Sequence, residues 1–247
     1  MISAVPGWQG KSDVDPRSKA CVKLLLFDID GTLVHSGGAG KRAMERAFEK
    51  VWGIPDAFQG ISLMGRTDTS ILHEALGKQN LDRNGPQEER FRELYFLSLA
   101  EEMEVPNPQK RLCPGVRSLL AELKKSPGIF LGLLTGNWRT GAFLKLRWFG
   151  IEGYFPFGAF ADDSGNRNDL VPIALKRFRK TSGSDIRKED VYVIGDTPLD
   201  IHCARPHGVR TVAVATGLHS LDDLAGEKPD HLFRDFSDTN GILKLFI

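Results

Sequence analysis

Residues 24–33 constrain the fold more than any other stretch of the chain. Leu24, Leu25, Leu26 and Phe27 run directly into two aspartates, Asp28 and Asp30, followed by Gly31 and Thr32. A short apolar run bounded by a polar turn reads as a buried strand of a parallel sheet. Side chains alternate along an extended chain, so Asp28 and Asp30 leave the strand tip on one side. Open α/β sheets bind ligands just outside the carboxyl ends of their strands. Two carboxylates held together there repel unless a cation lies between them. Magnesium, which favours carboxylate oxygens and substrate phosphate, is the natural candidate.

The chain beyond this stretch alternates strands with helices. Residues 129–134 form a second apolar strand ending in Thr135-Gly136-Asn137, and 190–194 a third, ending in Gly195-Asp196-Thr197-Pro198-Leu199-Asp200. Residues 211–215 read as a fourth strand and 231–233 as a fifth. Helical spacing fills 116–125, 140–149, 170–180 and 201–206. The expected fold class is α/β, a doubly wound parallel sheet.

Residues 37–109 have another texture. Ala43, Ala47, Phe48 and Val51, then Ile71, Leu72, Ala75 and Leu76, then Phe91, Leu94 and Tyr95, fall at helical spacing. Pro55, Gly60, Gly77, Asn84-Gly85-Pro86 and Pro106 punctuate them. A chain of 247 residues is long enough for one sizeable core with such an insert. The expected partition is a flexible tail at 1–20, an α/β core at 21–36 and 110–247, and an α-helical insert at 37–109. The tail carries Pro6, Gly7, Gly10 and Pro16 and no apolar stretch of the signal-peptide kind. Residues 34–40 read as a mobile connection with Gly37, Gly38 and Gly40 as hinges. They do not form a nucleotide P-loop, because His35 stands where that pattern needs glycine and Arg42 where it needs Ser or Thr.

Composition removes several function classes. A net charge of +1 gives no basic field for nucleic acid or an anionic membrane. Cys21, Cys113 and Cys203 lie too far apart for a zinc motif and suit a reducing cytosol, so a cytoplasmic location is expected. No apolar run approaches the roughly 18 residues a membrane span needs. The six histidines show no ligand spacing and read as structural or surface residues. Trp138, Trp148 and Phe149 read as core, with Trp138 also placed to shape a pocket beside Asn137. Lys176, Arg177, Arg179 and Lys180 read as a solvated helix face.

In a parallel sheet the strand ends share one edge, so Asp28 and Asp30, Thr135 and Asn137, and Asp196 and Asp200 converge despite their distance in sequence. Acids from two strands suit magnesium, and the hydroxyl and amide suit an anion. Phosphoryl transfer needs such a set. Phe27-Asp28-Ile29-Asp30-Gly31-Thr32, Leu134-Thr135-Gly136-Asn137 and Val193 through Asp200 resemble the first, second and fourth motifs of the haloacid dehalogenase superfamily. The insert resembles that superfamily's α-helical cap in the class of phosphoglycolate phosphatases and β-phosphoglucomutase. The run from Gly208 to Gly217 resembles the phosphoglycolate-phosphatase-like members.

The resemblance implies that Asp28 attacks phosphorus to form an aspartyl-phosphate and that Asp30 serves as acid and then base. It implies magnesium held by Asp28, the Asp30 backbone carbonyl and Asp196, with Asp200 in support, and phosphate held by Thr135, Gly136 and Asn137. The third motif departs from its relatives: where they carry a lysine or arginine, often as Lys-Pro, this chain reads Asn166-Arg167-Asn168-Asp169. Arg167 takes that role, with Lys176 as the alternative. In the insert, Arg66 of Gly65-Arg66-Thr67-Asp68 suits an anionic substrate; the plainer reading is a surface arginine before a helix capped by Thr67 or Asp68. The expected function is a magnesium-dependent phosphomonoester hydrolase acting on a small phosphorylated metabolite. A sugar-phosphate mutase and a non-catalytic binding protein on the same fold are the alternatives, and the oligomeric state, monomer or dimer, stays open.

Overall fold

Strand β1 (Lys23–Phe27) leaves no surface on Leu24, Leu25, Leu26 or Phe27, which requires neighbours on both edges and both faces. A computed structural model of the chain describes residues 22–83 and 85–246. The expected tail at 1–20, Cys21, Asn84 of the Asn84-Gly85-Pro86 turn and Ile247 lie outside the described residues. On its edges β1 pairs in parallel with β4 (Ile129–Leu134) and β6 (Val191–Gly195). Beyond them come β5 (Gly158–Ala159) on one side and β7 (Arg210–Val214) then β8 (His231–Phe233) on the other, every pairing parallel.

The alternation of side chains separates two cores. Leu24 and Leu26 pack with Leu170, Ala174 and Phe178 of α6 (Leu170–Ser182) and with Cys203 and Ala204 of α7 (Pro198–Ala204). Leu25 and Phe27 face the other way, into a core shared with Leu119, Leu120 and Leu123 of α4 (Val116–Lys125). Helices on both faces of a parallel sheet make this a doubly wound α/β fold.

The chain leaves and re-enters this layer through a short antiparallel ribbon of β2 (Val34–Ser36) and β3 (Lys110–Leu112). Between the two strands lie α1 (Ala39–Trp52), α2 (Asp68–Lys78) and α3 (Pro86–Glu104). Phe48, Phe58, Phe91 and Tyr95 cluster with ring centroids 5.5–6.4 Å apart. Trp138, at the start of α5 (Arg139–Trp148), sits 5.5 Å from Tyr95 and 6.2 Å from Phe91, joining the helices to the sheet core. Aromatic pairs at such spacings add to their area burial.

Three expectations change. Residues 34–40 are not a loose connection, because β3 supplies ladder partners from a distant part of the chain and α1 begins at Ala39. Trp148 is 42% exposed, its ring edge-on to Phe149. Arg177 is not simply solvated: both its terminal nitrogens bind the Asp163 carboxylate at 2.6 Å, and one also reaches the Gly158 carbonyl. No helix among the described residues is long and apolar enough to cross a membrane.

Candidate active site

The carboxyl ends of β1 and β6 are adjacent, so the residues just past them meet. Asp28 follows β1, its backbone amide bonded to the Ile194 carbonyl of β6, and Asp196 follows β6. Asp200 enters from the first turn of α7, where the Thr197 amide and hydroxyl both donate to its Oδ2 in a capping box. One oxygen from each of these three buried carboxylates lies within 4.8 Å of the others. Thr32 donates to Asp196 Oδ1, but Oδ2 is buried with no partner among the described residues. Gly31 and Gly217 make room for that oxygen: a Cβ on either would stand 2.3 or 1.7 Å from it. An orphaned carboxylate oxygen among oxygen-only donors fits a hard divalent cation.

Arg167, in the turn before α6, is buried and points into this cluster. Its Nη2 lies 3.3 Å from Asp28 Oδ1 and binds Asp200 Oδ1, while Nη1 donates to the Gly65 carbonyl at 2.8 Å. Lys176, the alternative cation, is exposed on α6 and takes no part. Burial raises the Asp28 carboxyl most; Arg167 pulls it back, Asp200 and Asp30 push it up further, and it settles at about 6. Asp196, buried beside Asp200 and Asp28, is held well above the ordinary carboxylate range. For Arg167, burial disfavours the charge, but Asp200 and Asp28 outweigh it and hold the guanidinium charged.

The Asp30 carboxylate turns away from the three acids. Its Oδ2 accepts from Asn137 Nδ2 at 2.9 Å and from Lys145 Nζ at 2.5 Å, and Lys145 also donates to Asn137 Oδ1 at 2.6 Å. Burial raises the Asp30 carboxyl, yet the Lys145 charge and hydrogen bond, with that of Asn137, bring it below its ordinary value. Asn137 Nδ2 also reaches Thr135 Oγ1 at 2.9 Å, so the end of β4 is tied to the end of β1. Gly136 lies where the helical insert presses closest, since a Cβ there would meet the Arg66 carbonyl at 2.0 Å.

The loop before α2 closes over the site. Asp68 N donates to the Gly136 carbonyl, Thr67 Oγ1 to Gly165, and Thr69 Oγ1 to Ala161. Trp138 returns two bonds, its amide to Asp68 Oδ2 and its indole to Thr69 Oγ1. Thr67 caps α2, accepting from the Ser70 amide. Arg66 borders the cavity with its guanidinium engaged by Glu74 and the Ser62 and Ser70 carbonyls. A cavity of about 600 Å³ remains, lined by Asp28, Asp30, Gly136, Asn137, Lys145 and Arg167 and reaching His35 and Arg111 of the ribbon.

Burial raises the Asp68 carboxyl to about 7, with Lys145 and the Trp138 amide only partly opposing it. The folded protein therefore holds this proton more tightly than the unfolded chain. Stability falls as pH rises from about 4 to about 7 and is level above, with each pKa unit equivalent to about 1.4 kcal/mol. Asp68→Asn keeps an acceptor for Trp138 and removes the titration. Relative to wild type, it is expected to gain on the order of 2 kcal/mol between pH 5 and pH 7.5 in urea unfolding. A difference independent of pH would refute this.

Sequence pattern does not mark Lys145, His35 or Arg111 as site residues. For Lys145 a signal existed: it shares the buried stripe of α5 with Gly141, Ala142 and Leu146, and a lone charge on an apolar stripe asks for a partner. Asp68 was legible only as a helix-capping candidate. His35 and Arg111 face each other across β2 and β3, a pairing that no local pattern announces.

Residues 25–214 match the family model for haloacid dehalogenase-like hydrolases. The phosphoglycolate phosphatase of Salmonella typhimurium is 27% identical over 239 residues, covering 88% of this chain and 90% of that protein. Among solved structures, CbbY from Rhodobacter sphaeroides in complex with phosphate has a TM-score of 0.68 at 21% identity, covering 88% of this chain and 96% of that one. A Bacteroides vulgatus chain provisionally named a β-phosphoglucomutase has a TM-score of 0.63 at 23% identity, covering 91% and 88%. The family model spans most of the chain and every strand end that builds the site, and the chain belongs to the haloacid dehalogenase-like hydrolases.

Proposed function

We propose that the protein is a magnesium-dependent phosphomonoester hydrolase working through an aspartyl-phosphate on Asp28, with residues 37–109 acting as a cap over the site. The observation that carries this is the meeting of Asp28, Asp196 and Asp200 beneath Arg167, with Asp30 held two residues from Asp28 by other partners. Asp28, Asp196 and the Asp30 backbone carbonyl would hold the ion, with Asp200 in support, and the ion would offset the charge of the phosphoryl group.

In this reading an oxygen of Asp28 attacks phosphorus and the bond to the ester oxygen breaks. Asp30 passes a proton to the leaving alkoxide, then takes one from the water that attacks the acyl phosphate, releasing inorganic phosphate and restoring Asp28. Because Asp30 rests ionised, the first proton arrives with the monoanionic ester. Gly136 and Asn137 line the cavity at the phosphoryl position, with Thr135 buried beside them, and Arg167 keeps the nucleophile charged and aimed. The cavity is in the usual range for small-molecule sites, so a compact phosphorylated metabolite fits. The name of the Salmonella relative makes phosphoglycolate the first ester to try.

Phosphate release from a panel of small phosphomonoesters, with magnesium and with a chelator, tests the proposal. Release that needs magnesium is expected. Absence of release from every ester would overturn it, and an isomerised sugar phosphate without free phosphate would replace it with the mutase reading.

A further inference from the structure

We propose that Lys145 is a positioning residue for Asp30, fixing one carboxylate oxygen so that the other faces the leaving group, and that this extends the reaction to esters whose leaving alkoxide must be protonated. The inference rests on the phosphatase reading above. Lys145, Asn137 and Asp30 form a closed triangle in which Asp30 Oδ2 receives two donors, and among the described residues Oδ1 receives none. Asp30 borders the cavity with 41% of its side chain exposed, whereas Lys145 is 5% exposed. The carboxylate thus faces the cavity while the ammonium lies buried behind it, bonded to Asp30 and Asn137.

The helix explains how a lysine reaches that place. α5 begins at the site and runs away from it, and Lys145 lies six residues along, about 9 Å down the axis. Helical side chains lean toward the N-terminus, so the lysine stem lies along the buried stripe and brings Nζ back to the strand ends. Gly40 of α1 lies over it, where a Cβ would make only ordinary contact, 3.5 Å from Nζ. Without Nζ, Asp30 keeps only the Asn137 amide, a single bond about which the carboxylate can rotate. Arg167 cannot substitute, because its Nη2 is committed to Asp28 and Asp200.

A merely structural lysine would lower all activities together, whereas a lysine that aims Asp30 matters most when the leaving oxygen needs the proton. Phosphoglycolate expels a basic alkoxide, that of glycolate, and 4-nitrophenyl phosphate expels a stable phenolate. For Lys145→Met, turnover of phosphoglycolate is expected to fall by on the order of 10³-fold and that of 4-nitrophenyl phosphate by about tenfold, with KM little changed. Lys145→Arg is expected to restore part of the phosphoglycolate activity. In an Asp30→Asn background, Lys145→Met should add little further loss, because the two residues act as one unit. Circular dichroism and thermal unfolding of both lysine variants verify that they fold.

Equal losses on the two esters, a loss confined to KM, or full additivity with Asp30→Asn would overturn the assignment while leaving the phosphatase reading intact. Wild-type activity on the aryl ester alone would also overturn it. If the wild type releases phosphate from no ester of the panel, the phosphatase reading fails and the assignment fails with it.

Discussion

Asp28→Asn is expected to fold and to lose turnover of phosphomonoesters by on the order of 10³-fold or more, the scale expected when a covalent nucleophile is removed. An amide cannot attack phosphorus to form the acyl phosphate, and no other carboxylate is placed to replace it. Asp196 and Asp200 lie close by, but Asp200 is tied to Thr197 and Arg167, and Asp196 has no exposed surface, with Thr32 on one oxygen and Gly31 and Gly217 packed against the other. The fold should survive because burial is the largest influence on Asp28, raising its carboxyl to about 6. A raised folded-state value means that stability from this group declines as pH rises from about 4 to about 6 and stays lower above. The neutral amide removes that penalty, while Arg167 keeps Asp200 as a partner. At pH 7.5 without added metal, the variant is expected to unfold at a temperature no lower than wild type. Rapid quenching with a phosphorus-labelled ester supplies the second measurement: label should stay on the wild-type chain and be absent from the variant. Persistent label on Asp28→Asn would locate the nucleophile elsewhere.

The strands that carry the site were legible because their signal is local. Residues 24–27, 129–134 and 191–195 are continuous apolar runs that end in a polar turn, and a parallel strand buried on both faces needs nothing more. The helices between them were legible by periodicity, Val116–Lys125 to the residue. What was hidden depends on partners far away in the chain. β2 and β3 are three residues each and exist only by pairing with one another, and β5 is two residues beside β4. Within the site, the acids stood at strand ends and could be named, whereas Lys145 reaches the same place from a helix interior. Sequence pattern places Arg167 ahead of Lys176, because Arg167 precedes the helix and Lys176 lies inside it, but leaves both open. Burial separates them, because only one of the two leaves water. Asp200 shows why two readings of one residue need not compete: it completes the capping box of α7 with one oxygen and meets Arg167 with the other.

That separation leads to the second large effect. Arg167→Met is expected to destabilise the protein by roughly 3–5 kcal/mol, the usual range when one partner of a buried ion pair is removed. Asp28, Asp196 and Asp200 would then share one pocket with no cation among them; Asp200 already raises the carboxyls of both Asp28 and Asp196, and Asp28 that of Asp196. The methionine fills much of the space, so the loss reports charge more than cavity. Lys176→Met, on the exposed face of α6, should change stability by less than about 0.5 kcal/mol. Magnesium offers a further discrimination. If the three carboxylates hold it, saturating ion should return part of the stability lost in Arg167→Met, and more than it adds to wild type, because binding to the folded state alone stabilises that state. Arg167→Lys keeps a charge but loses the fork that spans Asp28, Asp200 and the Gly65 carbonyl, and an intermediate loss is expected. Urea unfolding of the three variants, with and without magnesium, gives all of these values in one series. Equal stability of Arg167→Met and Lys176→Met would mean that the guanidinium does not hold the acids together. An unchanged response to magnesium would mean that the orphaned oxygen of Asp196 has some other partner.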